Sequence, residues 1–179
     1  PHLPQIKATT YEVGARGFFQ NILGADRIEW NLSTYRTDLK DDIYLITLPQ
    51  NQSLFDSIGK TRRQGIEAGF SGDYGKARFK LNYALTDATF QDTFEMASAD
   101  NSSSVSNDVF GTGDGARSIT VRPGNRMPGV SLHNLNANFS FDVTPNWQVG
   151  FGAVMHSESY LRGNENNQHQ PGVTTSRSY

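Results

Sequence analysis

Four histidines, His2, His133, His156 and His169, are the side chains in this chain best suited to metal binding or proton transfer. None stands at the close spacing of a metal-binding pair, so no metal centre is expected. His156 reads as a hydrogen-bonded residue of a strand wall, or as a contact residue near its rim. The carboxylates are spread along the chain instead of converging, and no Ser/His/Asp constellation follows from the spacing. Neither enzymatic catalysis nor a cofactor is expected. Cysteine is absent, which removes disulfides, thiolate ligands and a thiol nucleophile.

"GTGDG" at residues 111–115 has the glycines of a phosphate cradle but neither follows a strand nor opens a helix, and it reads as loop. The run around it, "ASADNSSSVSNDVFGTGDGARS", is rich in oxygen donors, yet its spacing is not that of an EF-hand calcium loop. N-x-S sequons begin at Asn31, Asn51, Asn101 and Asn138. Two of them fall inside predicted strands, so glycosylation is the weaker reading. What remains is a set of cations and aromatics: Arg62, Arg63 and Arg162, with Tyr35, Phe94, Tyr160 and His156. A guanidinium is a planar fork that fits carboxylate or catecholate oxygens. The plainer alternative has the aromatics marking an interface and the arginines pairing with acids or phosphates. Arg63 has the best parity for an interior role.

Six segments must position these residues, and all six alternate apolar with polar. Residues 134–154, "NLNANFSFDVTPNWQVGFGAV", hold two of them. Leu135, Ala137, Phe139 and Phe141, then Trp147, Val149, Phe151 and Ala153, form one face, against Asn, Ser, Gln and Gly on the other. Residues 9–18, 27–35, 63–70 and 76–85 repeat the pattern, with Glu12, Arg16, Arg27, Glu29, Arg63, Glu67, Arg78 and Lys80 on the polar side. A two-residue turn at Asp73-Tyr74 predicts Phe70 opposite Ala77 and Glu67 opposite Lys80. The same construction sets Phe141 beside Trp147.

The connections alternate too. Short links ("NILGAD", "SGDYG", "DVTPN") follow the first, third and fifth strands, while residues 38–60, 91–130 and 162 onward form long ones. An up-and-down antiparallel sheet therefore has tight turns at one end and long loops at the other. That order, with strands near the roughly 9–11 residues of a tilted span, favours a membrane barrel wall over a soluble sandwich. Six strands cannot close such a barrel, so a fragment is expected. The 179 residues carry 16 Lys+Arg against 18 Asp+Glu, a formal charge of −2, which argues against a nucleic-acid partner. No apolar run reaches the length of a membrane helix.

"KATTYEVGARG", "NLSTYRTDLKDDI", "GKTRRQGIEAGFSGDYGKARFKLNYALTDATF", "GNRMPGVSLHNLNANFSFDVTPNWQVGFGAV" and "SYLRGNENN", in this order, resemble the C-terminal part of TonB-dependent outer-membrane receptors. The resemblance runs across nearly the whole chain. It implies an all-β fold: six strands of a 22-stranded, antiparallel up-and-down transmembrane β-barrel. Residues 1–179 would form part of the barrel domain, without the plug, the TonB box, the first half of the barrel or the terminal strand. "QPGVTTSRSY" reads as the start of an outer loop. The implied function is TonB-dependent import across the bacterial outer membrane, above all of a ferric siderophore, with cobalamin, haem or carbohydrate as other cargoes. The implied partners are a small metal-chelate ligand, outer-membrane lipid and lipopolysaccharide, and the TonB complex through the N-terminal region. Tyr35, Arg63, Phe94, His156, Tyr160 and Arg162 are the candidate ligand contacts. A secreted β-sandwich that binds glycans is the rival outside the family.

Overall fold

A computed structural model describes residues 3–49, 52–106 and 116–170. His2, the sequon at Asn51, the glycine-rich stretch 111–115 and the tail 171–179 lie outside the described residues. The described residues form eleven strands: β1 (Lys7–Ile22), β2 (Ala25–Lys40), β3 (Ile43–Thr47), β4 (Ser53–Ser57), β5 (Thr61–Tyr74), β6 (Ala77–Phe90), β7 (Phe94–Ala97), β8 (Val105–Ser106), β9 (Arg117–Val121), β10 (His133–Thr144) and β11 (Trp147–His156). Six of them make one antiparallel sheet in the order β1-β2-β5-β6-β10-β11.

Register carries the alternation across all six strands, because residues paired on neighbouring strands point to the same face. One such row runs Gly17, Trp30, Phe70, Leu81, Ala137, Ala153; the next runs Phe19, Ile28, Gly72, Phe79, Phe139, Phe151. Five rows, from Val13 down to Tyr74, Ala77 and Phe141, are apolar or small apart from Thr34 and His133 at the top and Asn21 and Asp26 at the bottom. At about 3.4 Å per residue and a tilt near 40° they stand roughly 20 Å tall. Tyr11 above and Trp147 below widen the band at its two edges. Val13, Phe151 and Trp147 are 75%, 68% and 73% exposed, and no second sheet covers this face among the described residues. A sandwich would have packed it. A contiguous apolar face of this size is tolerable against lipid and not against water.

Two expected pairings are corrected. The hairpin between β5 and β6 turns at Gly75 and Lys76, so Phe70 faces Leu81 and Glu67 faces Ala84. Gly75 takes the left-handed backbone, φ +56°, which costs glycine little and a larger residue more. The change moves each partner by four residues and so leaves both faces intact. In the β10–β11 hairpin a bulge between Asp142 and Thr144 sets Phe141 opposite Val149 and Trp147 opposite Thr144.

The long connections are also more ordered than expected. The first contains the β3–β4 hairpin and the second a three-stranded sheet, β7-β9-β8. Together they build the hydrophobic core of the chain: Ile46, Ile58, Met96, Ile119, Val121 and Met127 close over Ala88 and Phe90, the interior residues at the top of β6. Phe90 meets the Phe94 ring edge-on at 5.2 Å and the Tyr44 ring at 5.5 Å. This cap sits at the long-loop end, on the polar side of the wall.

Candidate functional site

The polar face is organised in rows like the apolar one. Its upper rows are Thr10, Thr37, Arg63, Ala88; then Glu12, Tyr35, Gly65, Thr86; then Gly14, Ser33, Glu67, Ala84, Asn134, His156. Tyr35 and Arg63 are therefore diagonal neighbours, within reach of each other's side chains. The Tyr35 hydroxyl donates to Thr86 Oγ1 at 3.5 Å, across Gly65. Arg63 is exposed and makes no ion pair with the described residues. Deeper in the wall Arg16 and Lys80 are likewise without an ion pair, while Arg78 binds Asp142 at 2.6 Å. Asn31, Asn82, Asn136 and Asn138 fill the spaces between them.

His156 lies in the third row, three strands from β5 or roughly 14 Å at ordinary strand spacing. Its Nδ1 is 2.6 Å from Asn134 Oδ1 on the adjoining strand. Tyr35 and Arg63 thus share a corner of the wall, and His156 is apart from them. Arg62 has the opposite parity and faces outward, where its Nε donates to Asp38 Oδ1 at 2.7 Å.

The other three candidates are in the cap and its closing segment. Phe94 is half-buried between Phe90 and Tyr44, its ring used in packing. Tyr160 lies under the Arg126 guanidinium, 5.7 Å from the ring centre. Arg162 Nη2 donates to the Leu45 carbonyl at 2.8 Å and so ties the segment after β11 to β3.

That closing segment holds the residues that sequence reasoning missed. Asn164, Glu165, Asn166 and His169 are buried, although a run of polar residues reads as exposed loop. Buried polar groups need partners, and most of these have them: Asn164 Oδ1 accepts from the His169 N–H at 2.9 Å, while Asn164 Nδ2 has none among the described residues. Tyr44 donates its hydroxyl to Glu165 Oε1 at 3.2 Å, and the Gly163 N–H donates to Oε2 at 3.0 Å. Asn101 Nδ2 donates to Gly163 O at 2.8 Å and to Asn166 Oδ1 at 3.2 Å. The Ser102 N–H donates to His169 Nδ1 at 3.1 Å, and Asn167 exchanges hydrogen bonds with the backbone of Arg126. Burial pushes the Glu165 carboxyl above its ordinary range, against the opposing pull of its donors and of Arg162. Burial, then the charge of Glu165, likewise push the Tyr44 hydroxyl well up, so it stays a donor.

The oxygens around Asn101 are engaged in this network: its Oδ1 accepts from the Ser103 N–H and hydroxyl. Among the described residues no group of three or more His, Asp and Glu side chains is placed to hold a cation. What the geometry offers is an interior wall of cations, acids and amides under a packed cap, a surface for holding a polar solute.

No curated relative matches the chain. A family model does match, that of the TonB dependent receptor-like β-barrel, over residues 1–177. Its members are transport receptors of the bacterial outer membrane, not enzymes. Sheet order, the exposed apolar band, the tight turns at one end and the long connections at the other agree with that match, and the chain belongs to the TonB-dependent receptor β-barrel family.

Proposed function

We propose that this chain is part of the barrel of a receptor that imports a ferric siderophore across the outer membrane. In this reading the receptor is a longer protein: a plug precedes the barrel, and contact with TonB through the N-terminal region supplies the energy. Lipid and lipopolysaccharide surround the wall. The observation that carries the cargo class is Arg63, an exposed cation without an ion pair among the described residues, beside Tyr35 on the interior face at the cap end. An anionic, aromatic chelate can use both, through the guanidinium fork and the ring. Tyr160 against Arg126 and Arg162 against Leu45 belong to the segment that closes on the cap, Phe94 packs within the cap, and His156 lies farther along the wall; these complete the proposed set.

A carbohydrate cargo is the second reading within the family. It is favoured by the amides of Asn31, Asn82, Asn134, Asn136 and Asn138, which suit a neutral polyol. Growth of a strain lacking the gene, on a panel of iron chelates, sugars and cobalamin, decides between them. Loss of growth on one iron chelate supports the siderophore reading. Normal growth on all chelates with a defect on a sugar rejects it. Arg63→Ala at normal receptor levels should reduce chelate uptake about tenfold, as loss of one charge-assisted contact does.

A further inference from the structure

Deep on the interior face a trough of about 750 Å³ opens between β1 and β6, of the size that takes a small-molecule ligand. Its floor is low because Gly69 has no side chain and Ser71 a short one. A Cβ at Gly69 would collide with the Asn31 amide, which lies across the glycine. Arg16 on β1 and Lys80 on β6 stand at the two sides, three strand spacings or roughly 14 Å apart. Both are exposed, and neither has an ion pair among the described residues. Phe18 is 59% exposed in the same trough, although its neighbours on that face are polar. Arg27 stacks over the Phe18 ring at 4.9 Å and is itself held by Glu29 at 2.6 Å. Arg27 and Glu29 cancel in charge. The trough thus keeps two uncompensated cations and a ring fixed at its edge.

We propose that this trough is a second binding station, below the Tyr35–Arg63 corner, for an anionic solute that carries a ring. Arg16 and Lys80 hold its acidic groups from two sides, and Phe18 packs against the ring. The proposal rests on the import reading and deepens it by giving the inward path a halting place. The Arg16 row lies three rows below Arg63 and the Lys80 row four. At the strand rise and tilt used above, that is roughly 15–20 Å. Sites so far apart, with no shared partner, respond to substitution independently. Both cations are exposed, so they surrender little hydration on binding and the hold is loose enough to release the solute onward.

The test titrates the full-length receptor in nanodiscs with ferric tris-catecholate, an anionic aromatic chelate, by calorimetry. Wild type should show two classes of site. Arg16→Gln with Lys80→Gln should weaken one class roughly tenfold to hundredfold, as loss of two charge-assisted contacts does, and spare the class that Arg63→Ala removes. Arg16→Lys with Lys80→Arg keeps both charges and should keep both classes, which separates loss of charge from general damage. Phe18→Leu should weaken the lower class roughly threefold to tenfold through loss of the ring contact. A single class in wild type overturns the proposal, as does equal affinity of the glutamine variant and wild type at both classes. Altered proteolysis of the region before the barrel, with unchanged chelate binding, also overturns it and assigns the two cations to a contact within the receptor. The import reading is scored separately: a strain lacking the gene that grows normally on every iron chelate fails that reading, whatever the number of sites on the purified receptor.

Discussion

Tyr35 lies across Gly65 on the interior face, and the absence of a side chain at position 65 is what lets it. A Cβ there would come 3.0 Å from the Tyr35 hydroxyl oxygen and 2.0 Å from the Leu85 carbonyl oxygen. The second contact is with backbone and cannot be relieved by a rotamer change. Tyr35 reaches Thr86 on the strand beyond by passing over this gap.

Gly65→Ala should therefore destabilise the wall by about 1–3 kcal/mol, the usual cost of overpacking. Gly150→Ala is the comparison, since its Cβ would meet just the Phe139 carbonyl oxygen at 3.4 Å. That change should stay within about 0.5 kcal/mol. Urea unfolding of the receptor in lipid vesicles, followed by tryptophan fluorescence, measures both. Equal effects would mean that the seat of Tyr35 carries no strain.

Phe139 and Asn138 are neighbours in sequence and face different solvents. Phe139→Arg places a charge in the apolar band, one row from its middle, and should cost about 2–4 kcal/mol. Asn138→Arg faces the interior and should cost far less. The same vesicle assay separates them, and equal tolerance would show that the outward face has been misassigned.

Met96 is 1% exposed and packs in the cap with Ile119 and Val121. Met96→Ala should weaken the cap by about 2–5 kcal/mol, as cavity-forming substitutions do. The wall should be unaffected, because its strands pair independently of β7. Hydrogen exchange should rise in β7 and β9 while β1, β2 and β5 keep their protection. A loss of protection throughout would show that cap and wall unfold together.

Glu165 gives the closing segment a pH dependence of defined sign. Its folded-state pKa is raised from the ordinary 4.5, burial being the largest cause. The folded chain then holds the proton more tightly than the unfolded one, so docking is fully stable below about 4.5 and weakens as pH rises through the raised value. Amide protection at Asn164, Asn166 and Asn167 should fall over that interval. Glu165→Gln should flatten the profile, and a dependence of the opposite sign would contradict the assignment.

The two faces were legible in the sequence because alternation is local: Val13, Phe70 and Phe139 each announce their side within a few residues. Parity survived even where pairing was misjudged, as at Phe70, since the hairpin register moved by an even number. The exact turn was harder. The expected turn at Asp73-Tyr74 lies instead at Gly75 and Lys76, where Gly75 takes the left-handed backbone. The cap was not legible at all. Met96, Ile119 and Ile46 meet across separations of more than twenty residues, without a periodic pattern to signal it. The closing segment hid for a similar reason. "NENN" is polar, and what holds Gly163, Glu165 and Asn166 in place is a set of partners at Ser98, Tyr44 and Asn101, too remote in the chain to be foreseen. Of the candidate residues, parity singled out Arg63, and register then placed Tyr35 beside it.

Cap and wall differ in how they should answer to temperature. The cap withdraws Phe90, Ile119 and Val121 from water, so it carries the heat-capacity signature of hydrophobic burial and loses driving force on cooling. The band of Val13, Phe70 and Phe151 stays in a hydrocarbon medium and owes its place to the bilayer. Chilling should loosen the lid of this segment while leaving its lipid-facing shell in register, giving one short chain two distinct thermal responses.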